Sequence, residues 1–216
     1  SCQRPCYRAA EQDPEAVARF LLYKFPKIQR LAEKMGADIG FEDEAGIGIM
    51  TRAGRTWGAV GHPPVVLATD RRGGYNVLSL ITAQGRLRYS VAEHTIDSDR
   101  YIAFLQQVLH GRTRPLILLA DNASFHRSAA VRQFVRAHRT QLRMFFFPPH
   151  APELNPDEQV WNEIKHRQVG KQPIKSKPDL KKRLFSALKS LQQKADKIRS
   201  FFQLPDTEYA AIPDSA

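Results

Sequence analysis

Six consecutive residues, Pro115-Leu116-Ile117-Leu118-Leu119-Ala120, carry no polar side chain, and Asp121 follows them directly. The run is far too short to span a membrane and too evenly apolar for a strand with one wet face. It fits a strand buried on both sides, which calls for parallel neighbours and helices over each face of a sheet. The chain is thereby restricted to a layered α/β architecture.

The other patterns supply the layers. A strand reads from Asp38 to Asp43, with Ile39, Phe41 and Asp43 on one face by the period of two. Residues Tyr75–Thr82 and Arg86–Val91, joined by Ala83-Gln84-Gly85, read as a hairpin. Asp97-Ser98-Asp99 caps a helix through Tyr101, Phe104, Leu105 and Val108. After Asp121 come a helix over 127–139, a strand over Leu142–Phe147 and a proline-rich loop leading to a short helix near Asn155-Pro156. Upstream, Asp13-Pro14 opens a helix that Pro26 is expected to interrupt, and a second short piece from Ile28 to Met35 stops at Gly36. Residues 44–74, rich in Gly and charge, read as irregular strands and turns around Trp57, and Leu180 through Phe202 as one long amphipathic helix.

This order predicts a mixed five-stranded sheet, 3-2-1-4-5, flanked by helices, with helical N- and C-terminal extensions. The first and fourth strands then lie parallel where the winding reverses, the place where open sheets form ligand sites. Asp43 closes the first and Asp121 the fourth, so two carboxylates stand on strands about 4.8 Å apart. Glu158 arrives from the helix after Asn155-Pro156 as a third, longer carboxylate. Hard oxygens in this number suit two divalent cations about 3.5–4 Å apart. Plainer readings exist for each residue. Glu42, Asp43 and Glu44 together resemble a solvated acidic turn, Asp121 is able to cap a turn, and Glu158 to favour a helix dipole. Alternation selects Asp43 over its neighbours.

Composition narrows the setting. The 216 residues are 42% apolar and 25% charged, ordinary for a soluble domain. Two cysteines, Cys2 and Cys6, exclude a disulfide framework and point to a reducing, cytoplasmic compartment. Seven histidines lack zinc-type spacing. The net charge of +11 is concentrated in residues 165–200, where twelve Lys and Arg face only Asp179 and Asp196. Such density suits a polyanion partner, with a solvated face as the plainer alternative.

Three blocks carry a resemblance. Asp43-Glu44 after a strand, Asp121-Asn122 with His126, and Pro148-Pro149-His150-Ala151-Pro152-Glu153-Leu154-Asn155-Pro156-Asp157-Glu158 with Trp161 are similar to those of DDE transposases. More narrowly, they resemble the mariner superfamily and its bacterial insertion-sequence branch, and the 36 residues between Asp121 and Glu158 are close to that superfamily's short spacing. The resemblance covers about residues 5–202 and implies a ribonuclease-H-like fold. It implies Mg2+ or Mn2+, two ions per site, held by Asp43, Asp121 and Glu158. Cleavage and strand transfer of double-stranded DNA at insertion-sequence ends, insertion at TA dinucleotides and a homodimer are implied with it.

Asn122 and His126 are candidates for orienting Asp121 or touching DNA, His126 being as readily a structural histidine. Lys165 and Arg167 are candidate phosphate contacts, and Trp161 reads chiefly as packing. The predicted division is a helical lead-in at 1–36 linked to an upstream DNA-binding region, a catalytic domain at 37–168, and a basic C-terminal helix at 169–216. Two rivals stand beside the transposase: another ribonuclease-H-like nuclease, and a non-catalytic DNA-binding remnant.

Overall fold

The computed structural model describes residues 9–49, 57–63, 65, 72–170 and 173–212. Cys2, Cys6 and much of the Gly-rich segment lie outside them. Asp13 caps the first helix, α1 (Pro14–Arg19), by accepting from the Glu15 and Ala16 amides. Pro26 does not interrupt the helical run. The helix passes through a π turn, Phe20–Lys24, and continues as α2 (Phe25–Met35). A proline lacks an N–H and its ring crowds the preceding turn. The wider turn, in which the Phe25 N–H reaches the Phe20 carbonyl, absorbs both defects.

The five strands are β1 (Asp38–Gly48), β2 (Gly74–Thr82), β3 (Leu87–Ala92), β4 (Leu116–Ala120) and β5 (Leu142–Phe146). They lie in the order β3-β2-β1-β4-β5. Strand β1 is antiparallel to β2 and parallel to β4, and β4 is parallel to β5. The strand order and the parallel β1–β4 pair are those that the sequence pattern predicts. Strand β1 continues five residues past the expected end at Asp43, because its ladder with β2 runs from Gly40↔Thr82 to Gly48↔Gly74. Backbone pairing needs no side chains, so a glycine-rich stretch can stay in a sheet where its hydropathy pattern gives no sign of one. Trp57 is almost fully exposed.

Every residue of β4 is fully buried. On one face Leu116 and Leu118 join Leu78 and Leu80 under α3 (Ser98–Leu109) and α4 (Ala129–Ala137). On the other, Ile117, Leu119 and Phe41 meet Phe20, Phe25 and Ile28 of the lead-in helix. Val160 and Trp161 of α5 (Glu158–Asn162) and Leu184 and Leu188 of α6 (Lys177–Gln192) complete that second core. Two expected helices are shorter. A 3-10 turn at Ser124–Arg127 precedes α4, which Ser128 caps through the Val131 amide. The predicted helix through Phe202 breaks after α6, where Lys194 leaves helical geometry (φ −105°, ψ 70°), and resumes as α7 (Ala195–Arg199). Gln192 there donates to the Leu87 carbonyl at 2.8 Å. The break lets the Ala195 backbone rest on the β2–β3 turn at Gly85, whose φ is +87°. Among the described residues no helix is long and apolar enough to cross a membrane.

Candidate active site

The parallel register of β1 and β4, Asp38↔Leu116 through Phe41↔Leu119, carried two residues onward sets Asp43 level with Asp121. Strand alternation turns Asp43 toward the face covered by α5. Glu158 opens that helix, its amide donating to the Asn155 carbonyl at 3.1 Å. Asp43, Asp121, Asn122 and Glu158 therefore line one cavity of about 440 Å3, closed on its other side by the loop from Phe147 to Pro152. The loop is tied down from two directions. Asn122 Nδ2 donates to the Phe147 carbonyl at 3.0 Å, and Gln12 Nε2 to the His150 carbonyl at 3.0 Å and Glu153 Oε1 at 2.6 Å. His150 adopts a left-handed backbone with φ 56°, which is costly for a side chain bearing Cβ.

The carboxylates crowd one another. Asp43 Oδ2 accepts from Trp161 Nε1 at 2.9 Å, and Oδ1 from the Glu44 amide at 2.9 Å. Burial, then the charges of Glu158 and Glu42, still push the Asp43 carboxyl well above the usual range. Glu158 lies within hydrogen-bonding reach of Asp43 and is raised by burial as well, although Lys165 and that bond oppose the rise. Asp121 is held low despite partial burial, because His126 and the Ala123 amide (2.9 Å) hydrogen-bond to it.

His126 stands behind Asp121 on the 3-10 turn, 2% exposed. Its Nδ1 lies 2.8 Å from Asp121 Oδ1, and its Nε2 3.1 Å from Glu42 Oε2, although out of line for a hydrogen bond. Against the penalty of burial, Glu42 and Asp121 push the imidazole up to about 10. The two acids on either side of the ring thus favour its protonated form against burial.

Several site residues carry no individual signal in the sequence pattern. Glu42 is fully buried, on the opposite face of β1 from Asp43, where the Tyr101 hydroxyl donates to it at 3.3 Å. The plainer alternative of a solvated acidic turn does not hold for Glu42, since β1 continues through it beneath α3. Asp157, also fully buried, accepts from Ser79 Oγ at 2.5 Å. Burial and then the charge of Asp43 push its carboxyl well above the ordinary range. Ser79 pairs with Asp43 across the β1–β2 ladder, and as the lone polar residue in Val77–Ile81 it was the available signal. Asn155 Nδ2 donates to the Glu42 carbonyl at 2.9 Å, and its Oδ1 accepts from the Asp157 amide at 3.1 Å. Trp161 packs as expected and also holds Asp43. Arg127 is bonded to Oδ1 of the cavity-lining Asn122 and stacked 4.9 Å over Phe146. Lys165 lies on the π turn after α5, half-buried and close enough to act on Glu158, while the Arg167 side chain is outside the described ones.

Among the described residues no three His, Cys, Asp or Glu side chains converge into a ready-made metal cage. Asp121 is turned to His126. The donor set nevertheless fits a hard cation: carboxylate oxygens in one cavity, with Asp43 and Glu158 pressed together.

A mixed sheet in this order flanked by helices, with Asp43 midway along β1, Asp121 directly after β4 and Glu158 at the start of α5, is a ribonuclease-H-like fold. Residues 38–181, two-thirds of the chain, match the DDE superfamily endonuclease model, and the chain belongs to that family. Its fold is that of the catalytic domain of Mos1 mariner transposase (TM-score 0.61, 15% identity, 95% of this chain and 99% of that one). The Mos1 mariner paired end complex with Mn aligns at TM-score 0.67 and 16% identity, covering 98% of this chain and 68% of that one. The Mos1 strand transfer complex gives 0.64 and 17%, with 96% and 66% covered. The chain thus spans about two-thirds of the Mos1 chains in those complexes. At these identities the likeness concerns fold. No curated protein matches the chain.

Proposed function

We propose that this chain is the catalytic portion of a transposase, cutting double-stranded DNA at insertion-sequence ends and joining the freed ends to target DNA. The observation that carries the reading is that Asp43, Asp121 and Glu158 all line one cavity of a DDE endonuclease domain. We assign those three as ligands of two Mg2+ or Mn2+ ions, and the solved Mos1 complexes with Mn and with Mg support the choice of metal. Bound there, such ions would activate the attacking oxygen and neutralise charge developing on the phosphate.

The chain's own groups set the stage for that chemistry. Trp161 and the Glu44 amide fix the Asp43 carboxylate. His126 and the Ala123 amide keep Asp121 ionised. Glu158 meets Asp43 from the helix side, and its charge is favoured by Lys165. The Phe147–Pro152 loop walls off one side of the cavity, limiting water where the phosphodiester must lie in line. We assign Asn122 and Arg127 to the DNA side of this cavity, and Lys165 with Arg167 to backbone phosphates.

We place residues 1–36 as a lead-in from an upstream DNA-binding region, 37–168 as the catalytic unit and 169–216 as its basic extension. Cutting two ends calls for a homodimer. The short Asp121–Glu158 spacing supports the mariner superfamily, and within it we place the chain in the bacterial insertion-sequence branch, whose setting is the cytoplasm.

The deciding experiment is Mg2+- or Mn2+-dependent nicking of supercoiled plasmid by the wild type and by Asp121→Ala. Nicking by the wild type, lowered at least 100-fold in the variant while DNA binding persists, is expected, on the order of the loss from removing one preorganised electrostatic group. Equal nicking by both would overturn the site assignment, and none by either would leave a DNA-binding remnant.

A further inference from the structure

At the opposite end of the sheet, where β1 and β4 begin, lies a second cavity of about 430 Å3. Its wall is cationic, with Arg86 and Arg88 from the start of β3 and Arg112 and Arg114 from the loop before β4. Asp38, 2% exposed, sits among them. Its Oδ2 is 2.6 Å from Arg112 Nη2 and 3.5 Å from Arg86 Nη1, and its Oδ1 is 3.4 Å from Arg114 Nη1. One carboxylate offsets one of four guanidiniums, so the cavity keeps a strong positive excess. Burial and the neighbouring Arg86 and Arg88 accordingly hold Arg112 below its ordinary range, although Asp38 opposes them. Thr82 lines the same cavity, and its hydroxyl is fully buried and without a hydrogen-bond partner among the described residues. Buried polar atoms are seldom left so unless something else meets them.

We propose that this arginine cavity is a second phosphate site, which grips the backbone of bound DNA away from the reacting phosphodiester. The inference rests on the DNA-processing reading above. Arg86, Arg112 and Arg114 each turn one terminal nitrogen to Asp38, while Arg88 turns none. Arg112 Nε and Arg114 Nε donate to the Arg114 and Gly36 carbonyls, and the remaining N–H donors lie in planar forks that suit phosphate oxygens. Thr82 adds a hydroxyl donor, and Asp38 orders the arginines before any ligand arrives. Five residues of strand separate Asp38 from Asp43, roughly 17 Å at about 3.3 Å per residue. A phosphate held here therefore belongs to another part of the DNA than the one at the carboxylates. Its chemistry would equally admit free inorganic phosphate, a source that the experiment separates.

The test measures duplex-DNA affinity against salt for the wild type, Arg86→Ala/Arg88→Ala, Arg86→Lys/Arg88→Lys and, on α4, Arg132→Ala/Arg136→Ala. Arg86 and Arg88 are exposed, and circular dichroism verifies the fold of each variant. The Arg86/Arg88 alanine variant should bind several-fold more weakly at about 0.1 M salt, its log–log slope shallower by about 0.9 for each phosphate no longer neutralised. The lysine variant should keep most of the slope, and the α4 variant the wild-type values. An unchanged slope in the Arg86/Arg88 alanine variant, or an equal drop in the α4 variant, overturns the proposal while leaving the DNA-processing reading intact. Inorganic phosphate shifting the Arg86 and Arg88 NMR signals with DNA binding unaffected also overturns it, and assigns the cavity to the free anion. A wild type that binds no DNA removes both readings.

Discussion

The ring and the N–H of Trp161 serve different elements: the ring fills the core beneath α5, and the N–H holds Asp43 on β1. Trp161→Phe separates the two. It keeps most of the packing and removes the 2.9 Å bond, so the fold should survive. Cleavage or its apparent metal affinity should drop about 10–100-fold, the usual loss when a group orienting a ligand is removed. A metal titration of plasmid nicking checks this, and an unchanged titration would reduce Trp161 to packing. Asp121 and Glu158 were legible in the sequence, since one ends an apolar strand and the other opens a helix after a distinctive loop. Glu42 and Asp157 were not. Alternation told which face Glu42 occupies but not that α3 would bury it, and the environment of Asp157 is made by Ser79, 78 residues away.

The kind and order of the helices and strands are legible in the hydropathy pattern, and their ends much less so. Pro26 predicts a break on local grounds, but tertiary burial of Phe20, Phe25 and Ile28 on one face outweighs the local defect and keeps the helix running. The opposite happens at Lys194, where an apolar period continues through a real break because Ala195 must meet the hairpin turn. Gly85 is the hinge of that contact. A Cβ there would lie 2.7 Å from the Ala195 carbonyl oxygen, at a φ of +87° that L side chains rarely adopt. Gly85→Ala should therefore destabilise the protein by about 1–3 kcal/mol, visible as a lower urea midpoint with an unchanged m-value. A midpoint equal to wild type would mean that α7 shifts freely.

Across the whole molecule, the charge buried around the cavity makes stability depend on pH and on cations together. Asp43, Asp157 and Glu158 have raised carboxyl pKa values, and His126 is raised to about 10. For a raised pKa, the stabilising contribution is complete below the unfolded value and fades as pH climbs toward the folded one. The carboxyls begin this loss above about 4 and His126 above about 6.5. Asp121, shifted down, contributes above its unfolded value and loses that contribution only in more acidic solution. All four raised groups thus act in one direction, and the metal-free protein should show a Tm that falls between about pH 5 and about pH 8.5. Mg2+ or Mn2+ should raise Tm more at about pH 8 than at about pH 5, since protons compete for the same oxygens. A cation effect that is flat with pH would argue against these carboxylates as ligands.

The bond from Trp161 to Asp43 joins residues 118 positions apart. During synthesis Asp43 leaves the ribosome long before Trp161 and Glu158 exist, and domains acquire their long-range contacts only as the later segments emerge. A chain that stops before Glu158 therefore carries Asp43, or Asp43 and Asp121, without the third acid of the cavity. On the proposed function, any ability to cut DNA, with the danger it poses to a host chromosome, waits until Glu158 and Trp161 have been made.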